Sequence, residues 1–214
     1  MGESKSVTAI VTKAEDFGEN DRLVRLFAME GGMLRAKMRG VKKPKAKLKF
    51  AAQPFAFCRF ELYEKGGYYT VASAVQIESL FEVTYDAQTY AAGCLMLETA
   101  DIAVDEIPNP DLFVKLLKAL KSLICDNADP RIVAAKYILA ALHAQGYGAR
   151  YDGISDTEKL TESIRLTPLA SLGSLAYTDE TANGALRRAA HDFEYHFDRQ
   201  LLSLKSCIFK GERT

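Results

Sequence analysis

"DRLVRLFAMEGGMLRAKMRG", residues 21–40, decides how the first part of this chain folds. Gly31-Gly32 separates two apolar runs, and a glycine pair signals a turn because glycine takes positive φ without a steric penalty. After the turn the residues alternate. Leu34, Ala36 and Met38 fall on one face of a strand and Arg35, Lys37 and Arg39 on the other. Such a strand needs neighbours to cover its apolar face, and the flanking sequence supplies them. "SVTAIVTKAEDFG" (6–18) precedes it, and "PFAFCRFELYEKGG" (54–67) and "YYTVASAVQIES" (68–79) come after it, joined at Lys65-Gly66-Gly67. Five short strands separated by turn signals predict a small closed barrel. Closure also removes the exposed strand edges. The five-stranded oligonucleotide-binding (OB) barrel fits this count and commonly presents a basic, aromatic-bearing face.

The basic face of the third strand continues into the next segment of chain. In "KMRGVKKPKAKLKF" (37–50) seven of fourteen residues are Lys or Arg and none is acidic, although the whole chain holds 28 basic and 28 acidic residues. Arg35, Lys37 and Arg39 line the strand. Lys42, Lys43, Lys45, Lys47 and Lys49 continue on a loop broken by Pro44. Like charges this close repel, so a polyanion is the natural compensating partner. A solvated loop serving only solubility is the alternative, but three cations held in strand register form a surface rather than a tail. With Arg22 these eight are the candidate nucleic-acid contacts. Phe17, Phe50, Phe55, Phe57, Phe60, Tyr63, Tyr68 and Tyr69 lie nearby. A stacked base contributes about 1–3 kcal/mol in single-strand binders. Most of these rings are needed to fill the barrel, and the sequence does not choose which face a ligand. Tyr68 and Tyr69 point to opposite faces, so one of them is expected outside.

Charge divides the chain. Residues 1–80 hold 14 Lys and Arg against 9 Asp and Glu, and the remainder holds 14 against 19. The texture changes at the same place, from Gly, aromatic and β-branched residues to Ala and Leu. The expected class is therefore α+β, with an OB-type barrel over 1–82 and an all-α domain over 83–214. Three helices have readable starts, at Asp86, at Asn109-Pro110 and at Asp129-Pro130. Each cap oxygen satisfies free N–H groups, and Pro has none to leave unpaired. Gly146 is expected to close the third helix, and a last helix to run from Gly184 to Lys205. Between 149 and 180 the signals weaken, and loops with one short helix are expected.

With 48% hydrophobic residues the chain can build a core. No apolar run approaches the roughly 20 residues of a membrane span, and the N-terminus lacks a secretory apolar stretch, so a cytoplasmic, membrane-independent protein is expected. Cys58, Cys94, Cys125 and Cys207 are scattered, unlike a disulfide framework or a zinc site. No phosphate loop, dinucleotide fingerprint or nucleophile elbow occurs, so neither an enzyme nor a cofactor is expected. "GENDR" (18–22) reads as turn chemistry with acids to pair Arg22 and Arg25. Asp192 and His196, four apart on a helix, read as a solvated ion pair.

"DFGENDRLVRLFAMEGGMLRAKMRGVKKPKAKLKFAAQPF" (16–55) resembles the N-terminal domain of the RecO family of bacterial recombination mediators. The matching residues are Phe17, Gly18, Glu19, Asp21, Arg22, Gly32, Arg39, Gly40, Lys42, Lys43, Lys45, Gln53, Pro54 and Phe55. The likeness continues through "ELYEKGGYYTVASAVQIES", "NPDLFVKLLKAL" and "GYG", and resumes weakly at "LSLKSCIF", where the family usually has Lys-Ser-Arg. It implies a nucleoid-associated protein that binds single- and double-stranded DNA and anneals strands. It also implies contacts with RecR and with single-stranded-DNA-binding protein, and help in loading RecA. An RNA- or ribosome-associated OB protein is the alternative, since a basic OB face does not choose between nucleic acids. Many family members carry a four-cysteine zinc module after the "GY" helix. Here "GYGARYDGISDTEKL" has no cysteine, and a shortened, metal-free insert is expected around 149–180.

The acidic tail of single-stranded-DNA-binding protein ends in apolar residues and a carboxylate. It needs an apolar groove with a cation at its rim, because a carboxylate desolvated without a partner is costly. Ile132 and Leu139 recur at helical spacing beside Lys136, and Lys118 and Lys121 on the preceding helix could supply further cations. These five are the candidate protein contacts.

Overall fold

The computed structural model describes residues 3–126, 128–148 and 150–208. Ala149, where the expected insert opens, and Phe209, which ends the weak C-terminal likeness, lie outside the described residues. The chain divides into two compact units. The first runs up to Phe81 and includes Val104–Val114, and the second holds Glu82–Ala103 and the residues from Lys115 on.

The first unit is a closed five-stranded barrel. Its strands are β1 (Glu3–Phe17), β2 (Asp21–Ala28), β3 (Gly32–Met38), β4 (Phe57–Lys65) and β5 (Tyr68–Glu78), ordered β1-β2-β3-β5-β4. All neighbours are antiparallel except β3 and β5, which close the barrel in parallel through Ala36↔Tyr69 and Lys37↔Thr70. The long β1 pairs with β4 along its first part and with β2 along its second. A bulge between Val11 and Lys13 falls where the two pairings meet, and bulges bend strands. Leu34, Ala36 and Met38 point inward, packed with Val7, Ala9, Val24, Leu26, Phe60 and Leu62.

The connection from β3 to β4 is pinned to this core. Val41 is buried, Leu48 and Phe50 pack half-buried against the core, and a 3₁₀ turn over Lys49–Ala51 leads to buried Ala51, Ala52 and Phe55. Apolar anchors therefore bracket the lysines, with Lys42, Lys43, Lys45 and Lys47 between Val41 and Leu48 and Lys49 between Leu48 and Phe50. Gly32 has φ 65°, and a Cβ there would lie 2.5 Å from the Asp105 carbonyl oxygen. The Met33 N–H donates to that same carbonyl at 2.7 Å. Phe113 meets Phe27 edge-on at 5.3 Å between centroids, so Val104–Val114 belongs to the barrel's own packing.

The second unit contains α1 (Ala87–Ala103), α3 (Pro130–Ala144), α4 (Asp156–Leu166), α5 (Asp179–Phe197) and the short α6 (Leu204–Cys207), with all but the first turn of α2 (Pro110–Cys125). Asp86, Asn109 and Asp129 cap α1, α2 and α3 through their side-chain oxygens. Gly146, at φ 83°, lies just past the end of α3. The segment expected to hold loops and one short helix does so, while the last long helix differs from expectation. The weak-signal segment holds the well-formed α4, closed by a reciprocal Ser155–Glu158 capping box, and a 3₁₀ stretch over Leu169–Ser174. α5 begins at a Thr178–Thr181 capping box rather than at Gly184. It ends where Asp198 turns left-handed, φ 49°, well short of Lys205. Among the described residues no helix is long and apolar enough to cross a membrane.

Candidate nucleic-acid interface

The strand register turns the basic sequence into a surface. On the outer side of β1, β2 and β3, Lys13, Arg25 and Arg35 form one cross-strand row. Glu15, Leu23 and Lys37 form the next, and Phe17 pairs with Asp21 at the hairpin end. Arg39 lies one residue past β3. Arg25 directly opposite Arg35 places like charges across a strand pair, and the Glu15 carboxylate in the next row interacts with both. Lys13 and Arg25 were not among the sequence candidates, because only the pairing of β1 with β2 brings them to this face.

Two carboxylates organise the near end of the strip. Asp21 accepts from the Lys37 ammonium at 2.8 Å through one oxygen and from the Gly40 N–H at 2.8 Å through the other. Lys37 also lies 4.6 Å over the Phe17 ring, which is 47% exposed. Asp16 bridges two cations. One oxygen accepts from Arg22 Nε at 3.1 Å and the other from Lys42 Nζ at 2.7 Å. Arg22 is held from its far side, where Nη1 donates to the Ala52 carbonyl at 2.8 Å. Both carboxyls titrate below the usual aspartate range, Asp16 because of Lys42 and then Arg22, Asp21 because of Lys37 and then the Gly40 amide. Asp21 of "GENDR" thus serves other partners than the expected Arg22 and Arg25. Arg22 takes Asp16, and Asp21 takes Lys37 and a backbone amide.

The proposed contacts divide accordingly. Arg22, Lys37 and Lys42 are paired inside the protein. Arg35, Arg39, Lys43, Lys45, Lys47 and Lys49 are exposed, and none makes a salt bridge among the described residues. Of the aromatics, Phe55, Phe57 and Phe60 are core, whereas Tyr68, 81% exposed, Tyr63 and Phe17 are open to solvent. Tyr69 is half-buried.

The candidate protein contacts sit differently. Ile132 and Leu139 are buried within the helical unit. The Lys136 ammonium donates to the carbonyls of Ile164 and Arg165, at 3.0 and 2.8 Å, and so closes the C-terminal end of α4. Burial lowers its pKa. Lys118 is exposed and Lys121 half-buried. The expected Asp192–His196 ion pair is not formed. Asp192 accepts from the Tyr151 hydroxyl at 2.8 Å and from Arg188 Nε at 3.2 Å, while the His196 ring stacks on Tyr147 at 4.6 Å. Among the described residues no three His, Cys, Asp or Glu side chains converge as a metal site, so the residues present do not fit a zinc module.

Residues 1–80 match the family model described as recombination protein O N terminal, and residues 84–191 that described as recombination protein O C terminal. The chain is similar to the DNA repair protein RecO of Desulfitobacterium hafniense (strain DSM 10664 / DCB-2), 31% identical over 159 residues that cover 74% of this chain and 58% of the relative. It is similar to the protein of that name from Bacillus cytotoxicus, 30% identical over 161 residues, 75% of this chain and 64% of the relative. For the Nocardioides sp. (strain ATCC BAA-499 / JS614) protein of the same name the identity is 29% over 147 residues, 67% and 60%. The chain thus spans less than two thirds of the length of these curated relatives.

Proposed function

The chain belongs to the recombination protein O family, and from that premise we propose that it is a non-enzymatic DNA-binding mediator of recombination in DNA repair. Six exposed cations without an internal salt bridge, on and beside a barrel face that carries open aromatic rings, are the observation that supports DNA binding most directly. A basic loop whose two ends are anchored in the core has less backbone freedom to lose when it tracks a phosphate backbone. Phe17, Tyr63 and Tyr68 are the rings placed to stack bases. Single- and double-stranded DNA both offer the phosphates, and binding two strands at once would allow annealing. The cellular role we propose is to help load RecA onto DNA coated with single-stranded-DNA-binding protein, together with RecR, in the cytoplasm at the nucleoid.

For the acidic tail of single-stranded-DNA-binding protein, Lys118, exposed, and Lys121, half-buried, are the candidate cations on α2. Lys136 keeps one N–H beyond the two given to α4, since an ammonium has three. Lys118→Glu with Lys121→Glu is expected to weaken tail-peptide binding at least tenfold by fluorescence anisotropy, about 1.4 kcal/mol, and to leave naked DNA binding intact. Unchanged peptide binding places the tail elsewhere.

The first test of the nucleic-acid reading is competition between single-stranded DNA and RNA of matched sequence for the purified chain. DNA is expected to compete at least as well as RNA. A clear RNA preference would favour an RNA-directed role for the same face.

A further inference from the structure

Asp16 spans Arg22 and Lys42 with its two oxygens, as a backbone phosphate would. We propose that the Arg22–Lys42 pair is a phosphate cradle and that Asp16 is its internal competitor, a carboxylate that fills the cradle until a nucleic-acid phosphate displaces it. The inference rests on the nucleic-acid-binding reading of the barrel face and names a residue that sets its affinity.

The Arg22 guanidinium and the Lys42 backbone are held independently of Asp16. The Ala52 carbonyl orients the Arg22 guanidinium at 2.8 Å. The Lys42 backbone N–H donates to the Asn20 carbonyl at 3.0 Å, which fixes where its side chain starts. Asp16 is the member free to leave. Its side chain is 56% exposed, against 35% for Arg22 and 30% for Lys42. Nothing but these two cations is bonded to it among the described residues. Carboxylate and phosphate both offer oxygens that take charge-assisted bonds from Arg and Lys, so one anion can replace the other without rebuilding the cradle. Asp21 has a different place. It accepts from the Gly40 N–H, where the backbone takes φ 65°, and so also fixes the turn after β3.

The experiment uses the full chain and a fluorescein-labelled oligothymidylate, with anisotropy read at low and moderate salt. Asp16→Asn is expected to bind at least threefold more tightly than wild type. Glu15→Gln removes the same charge from the residue that pairs with Lys13 at 2.6 Å, and is expected to gain less. Adding Lys42→Gln to Asp16→Asn should abolish the gain, because the two residues act through one site. Asp16→Ser stands in should the Asn variant fold poorly by its melting curve. The proposal is overturned if neither Asp16 variant binds more tightly than wild type, if Glu15→Gln gains as much, or if the gain survives Lys42→Gln. A wild-type chain that does not bind the oligonucleotide at all fails the broader reading, and this one with it.

Discussion

At the residue scale, the two acids of the β1–β2 hairpin make the interface sensitive to acid. Asp16 and Asp21 are held below the ordinary aspartate value of 3.8 by cations that bind their charged forms. A depressed folded-state pKa gives stability that is complete above the unfolded value and is lost as pH falls through the folded one. In thermal melts, Asp21→Asn should therefore lie below wild type by a constant interval from pH 7 down to the ordinary aspartate range, and the interval should shrink at lower pH. An interval that stays constant into strong acid would mean that the Asp21 charge does not hold Lys37 and Gly40. The sequence showed the excess of lysines but not this pairing, because Asp16 meets Lys42 across 26 positions, where the segment after β3 returns to the β1–β2 hairpin. Pairing of that range leaves no local signature.

At the element scale, what was legible rested on local chemistry. The alternation of 33–40 and the turn glycines placed the strands, and the Asn109-Pro110 and Asp129-Pro130 starts placed α2 and α3, because a cap is a contact within a few residues. The start of α5 was missed since its capping box carries Thr181 in place of the usual Glu or Gln, while Asn183 and Gly184 weaken helix propensity in the first turns. The row of Lys13, Arg25 and Arg35 was missed because register across three strands is a tertiary property. Gly32 carries a sharper consequence. Its left-handed backbone and the close Asp105 carbonyl leave no room for a methyl group. Gly32→Ala is expected to cost about 2 kcal/mol or more, read as a lowered urea midpoint. A substitution costing less than about 0.5 kcal/mol would show that Val104–Val114 does not approach β3 as described.

For the whole molecule, charge is divided, with 14 Lys and Arg against 9 Asp and Glu up to residue 80 and 14 against 19 beyond it. The barrel unit carries the exposed basic strip from Arg35 to Lys49, and under the proposed function the net acidic chain beyond residue 80 would suit protein contacts better than bulk DNA. The central claim is that unpaired cations of the barrel face bind the phosphate backbone. It is tested most directly by titrating labelled single-stranded DNA with the wild-type chain and with Arg39→Ala/Lys43→Ala/Lys45→Ala across a range of salt. If about four phosphates are neutralised, log affinity against log salt should fall with a slope near −3, about −0.7 for each phosphate. The triple variant should bind all sequences at least tenfold more weakly at low salt, with the slope flattened by about 2. A triple variant that melts with the wild type and keeps both its affinity and its slope would contradict the claim.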